Sequence, residues 1–482
     1  MNHIKFLTST FLLFSFNFQL QAAAEYTPPN VVLIVVDDLG WADNGIKNGD
    51  VFNTPNIDRL AARSLSFSNA YAGAANCAPS RAVLMSGQYP PRHGIYTVSP
   101  SDRGHIKTRK LVPTKNTKVL KDEIMTMAEM FKANGYTTGH FGKWHLGEDP
   151  KTQGFDHNVG GGHNGHPKTY FSPYDLPSLS NGPKGEYLTN RLTTEVTSWI
   201  TRVKDKPFFT YLPYYTVHTP IQAIKEVKQR YIGKKGIRNA THATYAAMVE
   251  IMDTNVGRIM QSLKDNGIYE NTLVVFTSDN GGIRSISYQD PLRAGKGSYY
   301  EGGIRVPLLV SWPNKIKPSV SDEAVINLDF FPTFENIIKA DKKSSLLDGI
   351  DLSAHLFNEL PLPQRSLFWH FPVYLQAYDM KADQSRDPLF RTRPGSAMRK
   401  GKWKLHHYFE DNSYELYDLS NDLGEHVNFA SAYPEVLQQM SAELNEWRKS
   451  VNAPIPQQLN SEYDLAVATK LLQRKIKKVK KR

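Results

Sequence analysis

The segment "NVVLIVVDDLG", from Asn30 to Gly40, is a continuous apolar and β-branched run that ends in two aspartates and a glycine. A strand that is apolar at every position must be buried on both faces. This pattern is typical of an interior strand in a parallel sheet that has helices on both sides. The segment therefore predicts a central parallel strand that ends just before Asp37.

Helical and strand patterns alternate along the next part of the chain. "TPNIDRLAARS" has Thr54 at the position of an N-cap and Pro55 at the first helical position. A second helical pattern ends at Gly135, and a long one with apolar residues three and four apart ends at Gly267. The strand pattern "TLVVFTSDNGG" follows at once. This alternation predicts an α/β fold with a large, mostly parallel sheet flanked by helices.

The pattern of residues changes after Ile350. "SLFWHFPVY", "SAMRKGKWKLHHYFE" and "SYELYDLSND" are short, aromatic segments interrupted by turn residues, and a helical pattern, "YPEVLQQMSAELNEWRKS", follows them. They predict a smaller α+β subdomain with an antiparallel sheet. The predicted organisation is a signal peptide at 1–24, a catalytic domain at 25–350, this subdomain at 351–455 and a basic tail at 456–482.

The first residues carry the features of a secretory signal peptide. Lys5 precedes an apolar run from Phe6 to Phe16, and Ala22, Ala23 and Ala24 supply a small-residue cleavage site. The apolar run is too short to cross a bilayer core of roughly 30 Å. We expect an exported protein, periplasmic or secreted, with no membrane span.

Composition adds two constraints. One cysteine in 482 residues excludes an intrachain disulfide, so the stability of the fold must come from a hydrophobic core. The formal charge of +11 owes much to the last segment, "KLLQRKIKKVKKR". Such a run predicts a solvated or disordered tail. A basic protein outside the cell is also attracted to anionic polysaccharide, and we expect no nucleic-acid partner.

Two predicted strands end in polar pairs, Asp37 with Asp38 and Asp279 with Asn280. Ligands of open parallel sheets bind beyond the carboxyl ends of the strands, where the four side chains would meet. Each pair alone is equally explained as a helix cap or a turn. Together they offer hard oxygen ligands, which favour calcium or magnesium over zinc.

The single cysteine, Cys77, stands in the segment "CAPSR". A free cysteine is often a small buried hydrophobe. Here Pro79 and Ser80 suit the first turn of a helix, whose backbone N–H groups attract anions, and Arg81 adds a positive charge. The segment is therefore also a candidate anion site.

"CAPSR" resembles the Cys-x-Pro-x-Arg signature of the type I sulfatases, in the alkaline phosphatase superfamily. The segments "VVDDLG", "GHFGKWHLG", "YTVHTP", "TSDNGG" and "RAGKGSYYEGGIRVP" occur in the order of that family, so the resemblance extends over nearly the whole mature chain. It implies an alkaline-phosphatase-like fold. It also implies that a maturation enzyme oxidises Cys77 to formylglycine (3-oxoalanine), an aldehyde whose hydrate attacks sulfur and then expels sulfate without hydrolysis of a stable ester.

The resemblance also implies roles for other residues. Asp37, Asp38, Asp279, Asn280 and the modified residue 77 would bind one calcium ion, which polarises the sulfate. The remaining roles follow the same family pattern: the diol held by Arg81 and Lys143, its proton taken by His145, and the departing alcohol oxygen stabilised by His218 and Lys296.

The sugar that carries the sulfate is less determined. "GGGHNGHPKTYF" and "FWHFPVY" concentrate histidine, aromatic and basic groups, so we expect His163, His166, Lys168 and His370 to contact substrate. Loop packing explains each of them equally well. The chain resembles carbohydrate sulfatases of polysaccharide-degrading bacteria, including those that act on galactose or N-acetylgalactosamine sulfate. We expect a sulfated oligo- or polysaccharide substrate, such as a carrageenan-type galactan, ulvan or a glycosaminoglycan.

Three other functions stand beside this one. Some members of the superfamily use formylglycine on phosphorus, as phosphodiesterases or phosphonate monoester hydrolases. A two-zinc phosphatase is disfavoured because the strand ends offer Asp and Asn rather than several His. A non-catalytic protein that binds sulfated glycans would suit the basic charge, but it has no need of a convertible cysteine.

Overall fold

The computed structural model describes residues 27–344, 346–379 and 382–480. The predicted signal peptide, 1–24, lies outside the described residues. Among the helices of the described part, none is both long enough and apolar enough to cross a bilayer.

The fold is built on a sheet of eight strands in the order β4-β3-β5-β1-β6-β7-β2-β8. β1 pairs in parallel with β5 and β6, while β7 runs antiparallel to β6 and β2. The prediction of a mostly parallel sheet with a central first strand is confirmed. The strands are β1 (Asn30–Val36), β2 (Leu65–Tyr71), β3 (Thr137–Phe141), β4 (His157–Val159), β5 (Phe208–Pro213), β6 (Thr272–Ser278), β7 (Leu308–Ser311) and β8 (Ser319–Ile326).

Helices cover both faces of this sheet, as the apolar β1 requires. Side chains of β1 alternate between two cores: Val31, Leu33 and Val35 face one, and Val32 and Ile34 face the other. The helices are α1 (Gly45–Asn48), α2 (Pro55–Ala61), α3 (Cys77–Ser86), α4 (Pro90–His93), α5 (Met127–Ala133), α6 (Leu188–Val203), α7 (Lys225–Gln229), α8 (Ala240–Asp265), α9 (Glu301–Ile304), α10 (Phe330–Ile337), α11 (Ser353–Asn358), α12 (Pro434–Ser450) and α13 (Leu465–Lys480).

The predicted helix boundaries agree with these bounds. α2 begins at Pro55 after Thr54, although the Thr54 hydroxyl accepts from the backbone of Gly45 rather than capping its own helix. The glycines after α5 and α8, Gly135 and Gly267, have φ angles of 85° and 70°. These positive values are what a glycine at a helix end supplies.

A second, antiparallel sheet of four strands, in the order β14-β13-β12-β9, packs beside α12, as predicted. Its apolar side chains form one cluster with Tyr71 of β2 and Val83 of α3. Trp369 of β9 donates its indole N–H to the carbonyl of Ala72 at 2.9 Å. A domain boundary near residue 350 stays a prediction. The remaining strands are β9 (Ser366–Phe371), β10 (Leu375–Gln376), β11 (Phe390–Thr392), β12 (Gly395–Lys400), β13 (Trp403–Tyr408) and β14 (Ser413–Asp418).

The basic tail is ordered as far as the structure describes it. The backbone N–H of Val112 donates to the carbonyl of Gln458 at 2.9 Å, and that of Asn460 donates to the carbonyl of Lys110 at 2.9 Å. α13 follows and packs against the short helical turn Ile106–Thr108. Of the two predicted states of the basic run, the described residues 470–480 fit the solvated one and not the disordered one, because they belong to an amphipathic helix on which Lys470, Arg474 and Lys477 are exposed.

Candidate active site

The ends of β1 and β6 bring two acidic pairs together. The two strands are neighbours, so Asp37 and Asp38 lie beside Asp279 and Asn280. The Asp38 backbone N–H donates to the Asp279 carboxylate at 3.2 Å, and the Asn280 side chain donates to the Asp38 carboxylate at 2.8 Å. All four side chains are buried. The edge of the sheet therefore gathers these oxygen atoms as the sequence predicts.

Cys77 is the first residue of α3 and lies against this group. Its sulfur is 3.4 Å from a carboxylate oxygen of Asp37 and 3.1 Å from the Lys296 ammonium. Burial, reinforced by the negative charge of Asp37, raises the pKa of the Cys77 thiol to about 12. At neutral pH the unmodified residue is therefore a protonated thiol and a poor nucleophile.

Three buried cations balance the three carboxylates. The Arg81 guanidinium donates to Asp279 at 2.9 Å, and the Lys143 ammonium to Asp37 at 2.7 Å. Lys296 lies 2.7 Å from the Asp38 carboxylate. We call this group, with two histidines, the catalytic cluster; its members are Asp37, Asp38, Cys77, Arg81, Lys143, His145, His218, Asp279, Asn280 and Lys296.

His145 faces the pocket from a loop that a glycine-rich segment covers. The backbone N–H of His145 donates to the carbonyl of Gly162 at 2.9 Å. A Cβ on Gly165 would lie only 2.7 Å from the His145 ring, so this close approach requires glycine. Burial, with Lys143 nearby, lowers the pKa of His145 well below its usual 6.5. The ring is neutral at pH 7, as a proton acceptor must be.

His218 lies beyond the end of β5. Its Nδ1 is 2.8 Å from the Thr219 carbonyl, so Nδ1 carries the proton and Nε2, which lies 3.6 Å from Asp38, faces the cluster. Burial, with Lys296 nearby, lowers the pKa of His218 to about 4. The ring stacks on that of His166, with 5.8 Å between centroids.

The oxygen atoms of the cluster suit a hard divalent cation. Ligand atoms of Asp37, Asp38, Cys77 and His218 all lie within 4.8 Å of one another, a group that adds a sulfur and an imidazole nitrogen to two carboxylates and does not include Asp279. Oδ1 of Asn280 is buried and has no hydrogen-bond partner among the residues that the structure describes. A buried amide oxygen without a partner is costly unless a ligand uses it. Carboxylate and amide oxygens together fit calcium.

A pocket of about 570 Å³ opens onto Cys77, His145, His218 and Lys296. Sequence reasoning missed several residues of its outer wall. They come from irregular segments whose local sequence carries no motif, so no signal in the sequence marks them. The missed residues are Thr97, Val98, Ser99, Arg103, Lys118, Val119, Glu148 and Tyr378.

The four predicted substrate contacts divide in two. His163 and His166 line the pocket. Lys168 does not: its side chain is 75% exposed and its ammonium lies 3.5 Å from Asp175. His370 is 1% exposed and lies inside the C-terminal sheet. The expectation was wrong for His370, because its side chain points into a core, while a contact of the exposed Lys168 with substrate outside the pocket stays a prediction.

Both ring nitrogens of His370 have hydrogen-bond partners in the core where it lies. One ring nitrogen is 2.8 Å from the Ser396 hydroxyl, and the other is 2.9 Å from the Pro454 carbonyl. A ring bonded on both sides within a core has no nitrogen left for a ligand. His370 therefore packs β9 against its neighbours.

The small C-terminal strand β11 supports the loop that carries Lys296. The Arg391 guanidinium donates to the carbonyl of Lys296 at 2.8 Å, and the Thr392 hydroxyl donates to the carbonyl of Gly297. Arg391 also lies under the ring of Tyr378, 3.3 Å from its centroid. The C-terminal region thus positions Lys296 and one wall of the pocket.

The parallel sheet, with its acidic strand ends and a helix that begins at the cysteine, defines an alkaline-phosphatase-like hydrolase. Residues 29–338 match the family model described as Sulfatase, and residues 295–450 match that described as N-sulphoglucosamine sulphohydrolase, C-terminal. The chain belongs to the sulfatase family, and the protein is a sulfatase.

Relatives along the whole chain agree with this assignment. A sulfatase of Formosa agariphila is 34% identical, covering 88% of this chain and 90% of its own length. Human arylsulfatase A is 32% identical, and the match covers 85% of this chain and 86% of the length of the human protein. The solved structure of Ps i-CgsB in complex with k-i-k-neocarrahexaose has a TM-score of 0.72 at 31% identity, covering 87% of this chain and 93% of that one.

Proposed function

We propose that this sulfatase removes sulfate from a galactose or N-acetylgalactosamine unit of a sulfated polysaccharide, through formylglycine at position 77 and one bound calcium ion. The observation that carries the proposal is the position of Cys77. It begins α3 at the base of the pocket, inside a group of three carboxylates and three cations. A protonated, buried thiol has little use there unless it is converted.

Formylglycine supplies, as its hydrate, a hydroxyl nucleophile for sulfur and a second hydroxyl whose deprotonation releases sulfate. The chain's own residues prepare this chemistry. Arg81 and Lys143 fix the carboxylates of Asp279 and Asp37 beside residue 77, where the two cations would hold the hydrate. His145, neutral and unprotonated at Nδ1 or Nε2, accepts the proton from the second hydroxyl.

The opposite side of the cluster serves the leaving group. Lys296 lies 3.1 Å from the Cys77 sulfur and therefore reaches the sulfate that would sit there. His218 presents Nε2 to the same space; the negative charge of a bound sulfate ester favours protonation of this nitrogen, and the proton then passes to the departing alcohol oxygen. Both groups act on negative charge that develops as the ester bond breaks, so their effect is largest in the transition state.

Asp37, Asp38, Asp279 and Asn280 would hold the calcium ion. Calcium would polarise the sulfate oxygens and favour ionisation of the hydrate. The buried, unpartnered Oδ1 of Asn280 supports this assignment.

The proposed substrate rests on the pocket and on one relative. His163 and His166 offer imidazoles at the wall and Tyr378 offers an aromatic ring, groups that suit a sugar and its anionic substituents. The related structure with 31% identity binds a neocarrahexaose. We propose a sulfated galactan as substrate and an exported, periplasmic or secreted location where such polymers occur. A maturation enzyme is the required partner.

The first experiment is mass spectrometry of the tryptic peptide 64–81 from protein produced together with a maturation enzyme. Conversion of the thiol to the aldehyde lowers the peptide mass by about 18 Da. The same protein is then incubated with sulfated galactan oligosaccharides, and released sulfate is measured. Cys77→Ala, which leaves a buried methyl group, is the control without a nucleophile.

We expect a converted peptide and sulfate release that Cys77→Ala abolishes. An unmodified thiol in an active enzyme would contradict the proposed nucleophile. Faster hydrolysis of phosphate diesters than of any sulfated sugar would replace the proposed substrate with a phosphorus ester.

A further inference from the structure

We propose that α13 is a docking surface for the anionic polysaccharide chain that extends beyond the pocket. This inference rests on the proposed carbohydrate substrate and adds a second contact with the same polymer. The segment 465–482 contains eight Lys and Arg residues and no Asp or Glu. A surface of one charge sign attracts an oppositely charged polymer.

The position of α13 connects it to the pocket. Arg103 lines the pocket wall, and the helical turn Ile106–Thr108 follows three residues later. α13 packs against this turn, and the Asp464 backbone N–H donates to the Lys107 carbonyl at 3.0 Å. The helix therefore begins beside the pocket wall, and its sixteen residues extend about 24 Å from there.

The loop between the pocket and α13 is held firmly. The Arg109 side chain donates to the carbonyls of Asp102 and Gly104. A Cβ on Gly104 would lie 2.6 Å from the Phe390 ring, which shows how closely the loop packs on β11. The side chain of Asn460 donates to the carbonyls of Ile106 and Arg109 at 2.9 and 2.8 Å. α13 thus has a fixed place relative to the pocket.

The exposed face of α13 carries three cations that form no ion pair with any residue that the structure describes. Lys470, Arg474 and Lys477 are exposed and lie four and three residues apart, so they share one face. None of the three has an ion-pair partner among the described residues. At the pocket, Lys118 is likewise exposed, and Arg103 donates only to the backbone carbonyls of Val98 and Ser99. Cations on α13 and at the pocket, without a carboxylate partner among the described residues, match a polymer with repeated anionic groups.

The apolar face of the helix favours a polysaccharide over a membrane. Val467, Ala468, Leu471 and Leu472 are partly buried on the side that faces the protein. A helix that binds a bilayer must place its apolar face among the lipids. Here four apolar side chains already face the protein, and the three exposed cations lie on another face, although Leu465 and Ile476 are exposed too.

The test compares a sulfated galactan polymer with a tetrasaccharide prepared from it. The full-length variant Lys470→Gln/Arg474→Gln/Lys477→Gln removes the three exposed charges. We expect KM for the polymer to rise roughly tenfold with unchanged kcat, while both constants for the tetrasaccharide stay the same. The difference between wild type and variant in KM for the polymer should shrink as the salt concentration is raised.

The matched control is Arg202→Gln/Lys206→Gln/Lys264→Gln, which removes the same charge near the opposite, amino-terminal edge of the large sheet. An equal rise in KM for the polymer in both variants would overturn the proposal, because the net charge of the protein alone would then explain the effect. Loss on the tetrasaccharide equal to that on the polymer would also overturn it.

A binding measurement separates this inference from the proposed function. Migration of each variant through a gel that contains the sulfated polymer measures docking without catalysis. Retardation that depends on α13 in a protein that releases no sulfate would support the surface and contradict the proposed function. Sulfate release without such retardation would support the proposed function and contradict the docking surface. Binding to vesicles of anionic lipid in place of the polymer would overturn the polysaccharide assignment.

Discussion

Two buried groups of charged side chains lie near the carboxyl edge of the large sheet, and they differ in how they use their charge. In the catalytic cluster, a carboxamide oxygen lacks a partner among the described residues, and Cys77, His145, His218 and Lys296 line a pocket. The second group, which we call the Glu301 cluster, is closed. Its members are Tyr71, Glu301, Arg305, Arg399, Lys404, His406 and Glu425.

The Glu301 cluster satisfies its own charges. The Lys404 ammonium is 2.9 Å from Glu301 and 3.0 Å from Glu425, and the Arg305 guanidinium donates to Glu301 at 3.0 Å. Burial alone would raise the pKa of Glu301, but Lys404, Arg305 and Arg399 lower it to about 2. None of the unpartnered buried atoms in the described residues belongs to this cluster.

The difference separates a structural role from a chemical one. α9, which contains Glu301, begins five residues after Lys296, and Lys404 lies on β13 of the second sheet. The closed cluster joins the two sheets and fixes the loop that delivers Lys296. The open cluster retains unused oxygen atoms and faces the pocket, as a site for an ion and a substrate must.

The largest expected effect comes from Lys296→Met. The variant should lower kcat/KM for a sulfate ester by roughly 10³-fold, because it removes positive charge from the oxygen atoms of the transition state. Its unfolding midpoint in the presence of calcium should change less than that of the matched variant in the Glu301 cluster, because a calcium ion bound by Asp38 would replace the lost positive charge and the Asn280 amide stays 2.8 Å from Asp38. Steady-state kinetics and chemical unfolding on the same preparation measure both. A loss of stability equal to that of the next variant would remove the distinction between the clusters.

Lys404→Met is the matched change in the closed cluster. It leaves Glu301 and Glu425 buried without their shared cation, so the free energy of unfolding should fall by about 3–5 kcal/mol. Activity per folded molecule should stay within a few-fold of wild type. The measurement is a urea titration followed by fluorescence, with kcat taken at low temperature. Full activity loss with unchanged stability would show that this cluster takes part in the chemistry.

Calcium should distinguish the clusters through thermal stability. We expect calcium to raise the Tm of the wild-type protein by roughly 5 °C and a chelator to reverse the shift, because the ion binds only the folded state. Asn280→Ala should reduce the shift. Asn255→Ala, a buried asparagine on α8 whose oxygen already accepts from Arg258 at 2.9 Å, is the control. An undiminished calcium shift in Asn280→Ala would contradict its assignment as a ligand.

The smallest effect concerns His370, which lies in the second sheet. Burial lowers its pKa to about 3, against about 6.5 in an unfolded chain. Below pH 6.5 the unfolded chain therefore binds a proton that the folded protein excludes, and stability falls as pH falls. His370→Gln should weaken this fall by about 1–2 kcal/mol at pH 5 and leave KM unchanged. Unfolding midpoints at pH 7 and pH 5 measure it, and a raised KM would return His370 to the pocket.

The framework of the site could be predicted because strong patterns mark it. The apolar run before Asp37 requires burial on both faces, and parallel strands end at one edge, so the meeting of Asp37 with Asp279 follows from strand assignment alone. The start of α3 at Cys77 follows from the proline two residues later. These features depend on local sequence and on one rule of sheet geometry.

The outer pocket could not be predicted, because it depends on contacts between distant segments. Arg103, Lys118 and Tyr378 come from loops whose shape is fixed elsewhere, Arg103 by the loop around Arg109 and Tyr378 by Arg391 beneath its ring. His370 failed for a related reason. An aromatic strand does not reveal which of its faces meets the core until its neighbours are known.

The division between strand ends and loops has a consequence for diversification. The proposed metal ligands and residue 77 are attached to β1, β6 and α3, while part of the pocket wall comes from connecting segments such as 97–119 and 160–166, which do not include His145. Insertions and exchanges in such segments disturb the core little. A designer could therefore graft a new sugar preference onto this scaffold by replacing those two segments, and retain the sulfate chemistry unchanged.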